Sequence, residues 1–267
     1  LGHGMLPMAL AYAQYVNCKN RGETDSCGEC ASCKKMQKLI HPDLHFVFPV
    51  VKTKSYNEPV SDNFLPQWRE RVLKNPYFDI NQWFAAIDVE NAQGQIYVHE
   101  SSEILRKLNL KTYESEYKVM IIWMADRMNV QCANKLLKMI EEPPPKTLFI
   151  LITDNEESII GTIRSRTQLV KFTAIDEASM QQAMASNPLA QGKNIPGLIH
   201  LSNGNYIKTM ELLSPSNDTH QFFELFGNIM RITYKRDWPA LFSWVDEVAG
   251  LGRERQKNFL QYGLHMV

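Results

Sequence analysis

Four cysteines crowded into sixteen positions constrain this chain more than any other feature. Cys18, Cys27, Cys30 and Cys33 follow the spacing C-x8-C-x2-C-x2-C. Each C-x2-C step lets two thiolates approach one ion from a tight knuckle, and the polar, turn-forming stretch Lys19–Ser26 brings Cys18 back to close the shell. Four soft ligands at tetrahedral corners, about 2.3 Å from the metal, suit zinc. The competing reading is a disulfide pair or free thiols. Disulfides belong to secreted chains, and Leu1-Gly2-His3-Gly4 does not read as a signal peptide. A four-thiolate shell leaves no open position for water or substrate, so the expected zinc is structural and not catalytic. Cys132 stands apart and reads as a small buried side chain.

Around the knuckle the hydrophobic pattern alternates. Met5–Tyr15 reads as a helix, and Ala31–Ile40 as a second one closed by His41-Pro42-Asp43, because the residue before a proline avoids the helical region. Leu44–Val51 predicts a strand that Pro49 interrupts or ends. A polar loop over Lys52–Asn63, short helices over Gln67–Lys74 and Ile80–Phe84, and a helix over Val98–Leu108 follow. Lys118–Ala125 is a buried strand. Val130–Glu142 is an amphipathic helix stopped by Pro143-Pro144-Pro145, and Thr147–Thr153 is a second buried strand. Glu157–Arg164 reads as a short helix or turn and Leu169–Phe172 as a short strand; from Asp176 on the pattern is helical only.

Strands alternating with helices up to about Phe172 predict an α/β fold with a parallel sheet covered by helices. One or two helical domains follow, with boundaries near Thr173 and near Ser214-Pro215-Ser216-Asn217. Hydrophobic residues make up 44 % of the 267, which suits a chain with real cores. The longest apolar stretch, near Val119–Ala125, is too short to span a bilayer. With 29 basic and 29 acidic residues the net charge is zero, which argues against coating nucleic acid by bulk electrostatics but leaves local basic patches open.

Gly2-His3-Gly4 ahead of the first helix has the rhythm of the second half of a P-loop, G-x-x-x-x-G-K-[ST], whose backbone N–H groups cradle phosphate. In that register the lysine place holds Met5 and the Ser/Thr place holds Leu6, so neither the outer phosphates nor Mg²⁺ find a partner. The strand-end acids that hold metal and position water in such enzymes are likewise replaced, by Trp123 and Met124. Asp126 lies a little beyond, where it is either a displaced acid or, as preferred, a helix cap or loop residue.

Asn134-Lys135-Leu136-Leu137-Lys138-Met139-Ile140-Glu141-Glu142-Pro143-Pro144 resembles the "NALLKTLEEPP" signature of bacterial replication clamp-loader subunits of the AAA+ family. The four-cysteine spacing just after the first helix, His41-Pro42-Asp43 behind it, and Thr162-Ile163-Arg164-Ser165-Arg166-Thr167, similar to "TIRSRC" with Thr167 in place of Cys, agree in order and spacing from Gly2 to about Leu213. The lost lysine, Ser/Thr and acids make the chain look most like the non-hydrolysing delta-prime class within DNA polymerase III. Ile207, three places after Gly204, where a lid-domain sensor arginine is expected, fits the same class.

The resemblance implies an AAA+ α/β domain over 1–172 with the zinc module at 18–33, a helical lid over 173–214 and part of a helical collar over 215–267. It further implies a start inside the phosphate loop, with Gly2 and Gly4 as its degenerate remnant. ATP is then not bound or not hydrolysed by this chain. Arg166 becomes an arginine finger delivered to a neighbouring subunit's ATP, with Ser165 orienting the loop and Arg164 a weaker candidate. The implied partners are gamma/tau and delta subunits, and the sliding clamp and primer-template DNA through the assembled complex, in the cytoplasm. The alternatives are an active ATPase of the gamma/tau type and a zinc-dependent nucleic-acid binder.

Three further groups read as structural. Glu141 and Glu142 are adjacent on a helix and do not face one another, so they are solvated or anchoring residues, not an acid/base pair. Lys135 and Lys138 form a solvated face. Trp68, Arg69, Arg71, Lys74, Tyr77, Phe78, Trp83 and Phe84 interleave aromatics with cations, which suits a nucleic-acid surface or an insertion packing its rings on the core; the packing reading is preferred.

Overall fold

The computed structural model describes residues 1–89, 93–214 and 217–266. They form two compact units, one made of Leu1–Val89 with Gly94–Thr173, the other running from Ala174 onward.

In the first unit, strands β1 (Leu44–Val47), β2 (Lys118–Trp123) and β3 (Thr147–Ile152) form a parallel sheet in the order β1-β2-β3. Val119 sits opposite Leu44 on one side and Leu148 on the other. Every residue of β2 is buried, as expected of a central parallel strand covered on both faces. Alternation along β2 sends Val119, Ile121 and Trp123 to one core and Met120 and Ile122 to the other. The first core holds Leu6, Ala9 and Ala13 of α1 (Met5–Val16) and Met36 of α2 (Ala31–Gln37). It also holds Trp68 of α3 (Leu65–Lys74) and Trp83 of α4 (Ile80–Ala86). The second holds Ile104 of α5 (Val98–Asn109), Leu136 and Ile140 of α6 (Val130–Glu141) and Ile163 of α7 (Gly161–Arg164).

The predicted elements differ from these in instructive places. β1 ends at Val47, ahead of Pro49, whose missing N–H cannot serve a ladder; Val50 then makes an isolated bridge to Gln95. α2 stops at Gln37 and not Ile40, because Leu39 turns left-handed at φ 56° and redirects the chain toward β1. Glu157–Arg164 resolves into a 3-10 turn at Glu156–Ser158 followed by α7. The strand expected at Leu169–Phe172 is absent: Leu169 and Val170 are exposed, and no described strand pairs with them. A strand exists only where a neighbour's backbone completes its hydrogen bonds, and apolar sequence alone does not supply one.

The interleaved aromatics are core. Trp68, Phe78, Trp83 and Phe84 are all buried. Trp68 stacks on Phe48 at 4.2 Å and meets Trp83 at 5.2 Å and Trp123 at 5.3 Å. Arg71 covers Phe78 at 4.5 Å, so these rings present no faces to stacked bases.

In the second unit the described residues form α8 (Glu177–Ala185), α9 (Ile195–Ser202), α10 (Tyr206–Leu213), α11 (Asn217–Lys235), α12 (Trp238–Ala249) and α13 (Arg253–Met266). Met184, Ala190 and Leu213 centre one small core, and Phe222, Leu225 and Phe259 another. Gly204 is required by geometry: its φ is +66°, and a Cβ there would lie 2.4 Å from the Ile175 carbonyl oxygen. Pro215 and Ser216, at the second expected boundary, lie outside the described residues, as does Val267. Among the described residues no helix is long and apolar enough to cross a membrane.

Candidate functional site

Helix α1 joins two of the expected sites. Twelve residues at 1.5 Å each separate its ends by about 18 Å, with the Gly2-His3-Gly4 loop at its start and the cysteine knuckle just past its end.

At the knuckle the four sulfurs lie within 4.8 Å of one another. Cys18 Sγ is 3.4 Å from Cys27 Sγ, and Cys27 Sγ is 4.0 Å from Cys33 Sγ. A tetrahedron with metal–sulfur bonds of about 2.3 Å has edges of about 3.8 Å, so the donor set fits a cation such as zinc. Backbone N–H groups already point at the sulfurs: Cys27 donates to Cys18 Sγ at 3.3 Å, Cys30 to Cys27 Sγ at 3.4 Å and Cys33 to Cys30 Sγ at 3.4 Å. Cys30 thereby caps α2. Gly28, at φ +71°, makes the turn between them, and Gln37 Nε2 donates to its carbonyl at 3.0 Å. The N–H groups of Cys30 and Glu29 draw the Cys27 thiol down from its ordinary pKa. Burial opposes the same effect at Cys30, where N–H groups prevail and bring it to about 6. Burial pushes Cys33 up to about 12. Cys132, a residue of α6, is buried in the second core and stands outside this cluster, and burial raises it to about 12.

The residues behind the knuckle do more than the sequence suggests. Asp43 is buried, and its carboxylate accepts the N–H groups of Tyr113 at 2.7 Å, Glu114 at 3.0 Å and Ser115 at 3.0 Å, and the Ser115 hydroxyl at 2.8 Å. Burial alone would raise its pKa, but these donors bring it below the ordinary value. Lys35 of α2 pairs with Glu114 at 2.6 Å. His41 is buried, and its Nδ1 accepts the Asp43 N–H at 3.1 Å. Asn17 exchanges hydrogen bonds with the Tyr117 backbone at 2.8 and 2.9 Å. Segment 113–117 thus fastens the knuckle to the sheet. Only the Asp after His-Pro signalled it in sequence.

At the other end of α1, Gly4 is left-handed at φ 87° and precedes the first turn. Leu6, in the Ser/Thr place, is 2 % exposed and packed in the core, and Met5, in the lysine place, packs against that core. Trp123, in the first strand-end acid place, is fully buried among the rings of Trp68 and Phe78. Asp126 sits in a 3-10 turn over Ala125–Arg127 and accepts the Thr153 hydroxyl at 2.7 Å, while Asn129 caps α6. Ile207 is buried in α10.

The third constellation is remote in sequence but local in space. Arg166 follows α7 and is 34 % exposed at its side chain. Its Nη1 donates to the Thr162 carbonyl at 3.0 Å and to Ser165 Oγ at 3.4 Å, and its Nη2 to Glu141 Oε1 at 3.2 Å. Ser165 donates to the same Thr162 carbonyl at 3.1 Å. Thr167, where the motif has Cys, donates to the Ile163 carbonyl at 3.2 Å. Glu142, Lys135, Lys138 and Arg164 are exposed.

A family model described as DNA polymerase III, delta subunit, matches residues 2–176. The chain is 26 % identical to DNA polymerase III subunit delta' of Bacillus subtilis over 269 residues, covering 100 % of this chain and 66 % of that protein. It is 26 % identical to the delta' subunit of Haemophilus influenzae over 241 residues, covering 89 % of this chain and 59 % of that protein. It is also 29 % identical to subunit gamma/tau of Mycobacterium tuberculosis over 145 residues, covering 51 % of this chain and 25 % of that protein. It therefore spans about two thirds or less of the length of these relatives. The matched stretch runs from Gly2 through the knuckle and past the Ser165-Arg166 segment, and the chain belongs to the DNA polymerase III delta-subunit family, as a delta'-type member.

Proposed function

We propose that this chain is a non-hydrolysing subunit of the bacterial replicative clamp loader, a stator that supplies Arg166 to a neighbouring subunit's ATP. One observation carries the first half. The places that must offer a hydroxyl to Mg²⁺ and a carboxylate to metal or water hold Leu6 and Trp123, and both are packed in the apolar core. Neither can turn out to meet a nucleotide without opening the fold.

The second half rests on phosphoryl-transfer chemistry. Charge builds on the γ-phosphate oxygens, and a planar guanidinium delivered from outside neutralises it. Arg166 is about a third exposed, and its guanidinium is held by the Thr162 carbonyl and by Glu141 with donors left over for an outside oxyanion. In this reading 1–172 is the AAA+ α/β domain, 173–214 the lid and 215–267 part of the collar. The knuckle holds a structural zinc through Cys18, Cys27, Cys30 and Cys33, and its chemistry is to cross-link the segment, not to activate water. Gamma/tau and delta subunits are the direct partners, and the clamp and primer-template DNA are reached through the complex, in the cytoplasm. An active ATPase of the gamma/tau type is disfavoured by Met5, Leu6 and Trp123.

The test is Arg166→Ala in a loader reconstituted from the full-length protein. Its ATPase activity is expected to fall, with the affected site losing a factor of up to ~10³–10⁵ as for other trans-acting arginines, while the variant keeps its folded far-UV spectrum. Wild-type turnover would remove the finger assignment.

A further inference from the structure

The geometry points to Glu141 as the positioning residue for Arg166. This rests on the finger reading above and adds to it the group that orients the guanidinium. Glu141 is the last residue of α6, and Arg166 follows α7, 25 positions later. The two are brought together by the core beneath them, since Ile140 beside Glu141 and Ile163 of α7 are buried in the same cluster. Both backbones are therefore fixed, and only the side chains remain to be set.

Three contacts set them. Nη1 is held by the Thr162 carbonyl and Ser165 Oγ, which tether the guanidinium to its own turn. Those two contacts on one nitrogen leave the plane free to swing about that point. Nη2 to Glu141 Oε1 at 3.2 Å supplies the second nitrogen's anchor and so fixes the plane. Three of the five N–H donors of an arginine are then engaged within the chain, and the rest remain for an outside oxyanion. Glu141 is itself about half exposed, so removing it opens no cavity. An exposed pair of this kind is weak, worth a factor of about 1.4–5 in an equilibrium. That is too little to hold the fold but enough to bias one arginine orientation several-fold. Of the two adjacent glutamates only Glu141 makes this contact, which distinguishes it from Glu142.

The loader reconstituted with full-length protein tests this through the share of kcat that depends on Arg166, obtained by difference from the Arg166→Ala loader. Glu141→Ala should lower that share by about 1.4–5-fold, the fold-change equivalent of the pair strength above, with KM for ATP and the thermal midpoint of the subunit unchanged. Glu141→Gln keeps a carbonyl acceptor and should retain most of the activity. Glu142→Ala should behave as wild type, and Glu141→Ala should add nothing in the Arg166→Ala background. If Arg166→Ala is silent, the finger reading fails and this one with it. If Arg166→Ala is impaired while Glu141→Ala is not, the finger stands and the positioning role falls. A rise in activity with Glu141→Ala would show that the glutamate restrains Arg166, and also overturns the proposal.

Discussion

At its N-terminal end α1 follows the Gly2-His3-Gly4 loop, where Met5 and Leu6 pack into the same apolar core as Trp123 at the end of β2; just past its C-terminal end Cys18 joins a knuckle in which all four thiols converge. The same helix thus connects a loop whose following residues are packed in an apolar core with a cluster of four thiols close enough to hold one cation. The difference lies in what each position must satisfy. A thiolate that meets no metal is a buried polar sulfur, and at the knuckle backbone N–H groups are already spent on orienting such sulfurs. A lost lysine or hydroxyl leaves no such debt, since an aliphatic side chain in its place gains burial. One end can be known by its donors and the other by its hydrophobicity.

The largest effect is expected at the knuckle. Cys33→Ser should abolish a stoichiometric metal seen by elemental analysis of the full-length protein. Structural zinc in finger peptides contributes ~10–16 kcal/mol of apparent folding energy, so amides of segment 18–37 should lose hydrogen-exchange protection, as should wild-type protein stripped by a chelator. An unchanged exchange pattern would make the knuckle a self-sufficient fold with incidental thiols.

The next effect is at the opposite end. Met5→Lys with Leu6→Thr restores the residue types of a working loop. It should destabilise the protein by about 2–5 kcal/mol through lost aliphatic burial, with a further cost for the buried hydroxyl. It should still show no Mg-ATP turnover, because Trp123 carries no carboxylate. Turnover in that double variant would show that the loop had been only dormant.

The smallest of the three sharpens the knuckle's support. Asp43→Asn removes a charge that four donors share and should cost at least about 1.5–3 kcal/mol, the worth of one charge-assisted bond. The Asp43 carboxyl is held below its ordinary value of 3.8. Its contribution is therefore full above about pH 4 and is lost as pH falls through the folded-state value. Denaturant titrations should show a flatter acid limb for the variant, and parallel limbs would contradict the assignment.

Much of this was legible in the chain itself. Cysteine spacing identified the four thiols that converge, because a knuckle is a local turn and local turns are written in neighbouring residues. The parallel sheet followed from unbroken apolar runs at β2 and β3 separated by a helical pattern. The strand expected at Leu169–Phe172 did not form, because apolar residues specify burial only where another element offers a surface. The aromatic-basic segment had two readings that composition could not separate; the stacking of Trp68 on Phe48 and of Phe78 on Trp123 chose the core.

Sequence alone determined which residue types stand at these places: four thiols at close spacing, Met5 and Leu6 behind Gly4, an arginine after Ser165. Tertiary structure decided which groups act on one another across long separations. Asp43 meets residues 113–115, and Glu141 meets Arg166. Neither pairing has a signature in spacing. Each depends on the sheet and the shared cores to bring distant backbones within hydrogen-bond reach, and that reach is set by packing and not by order along the chain.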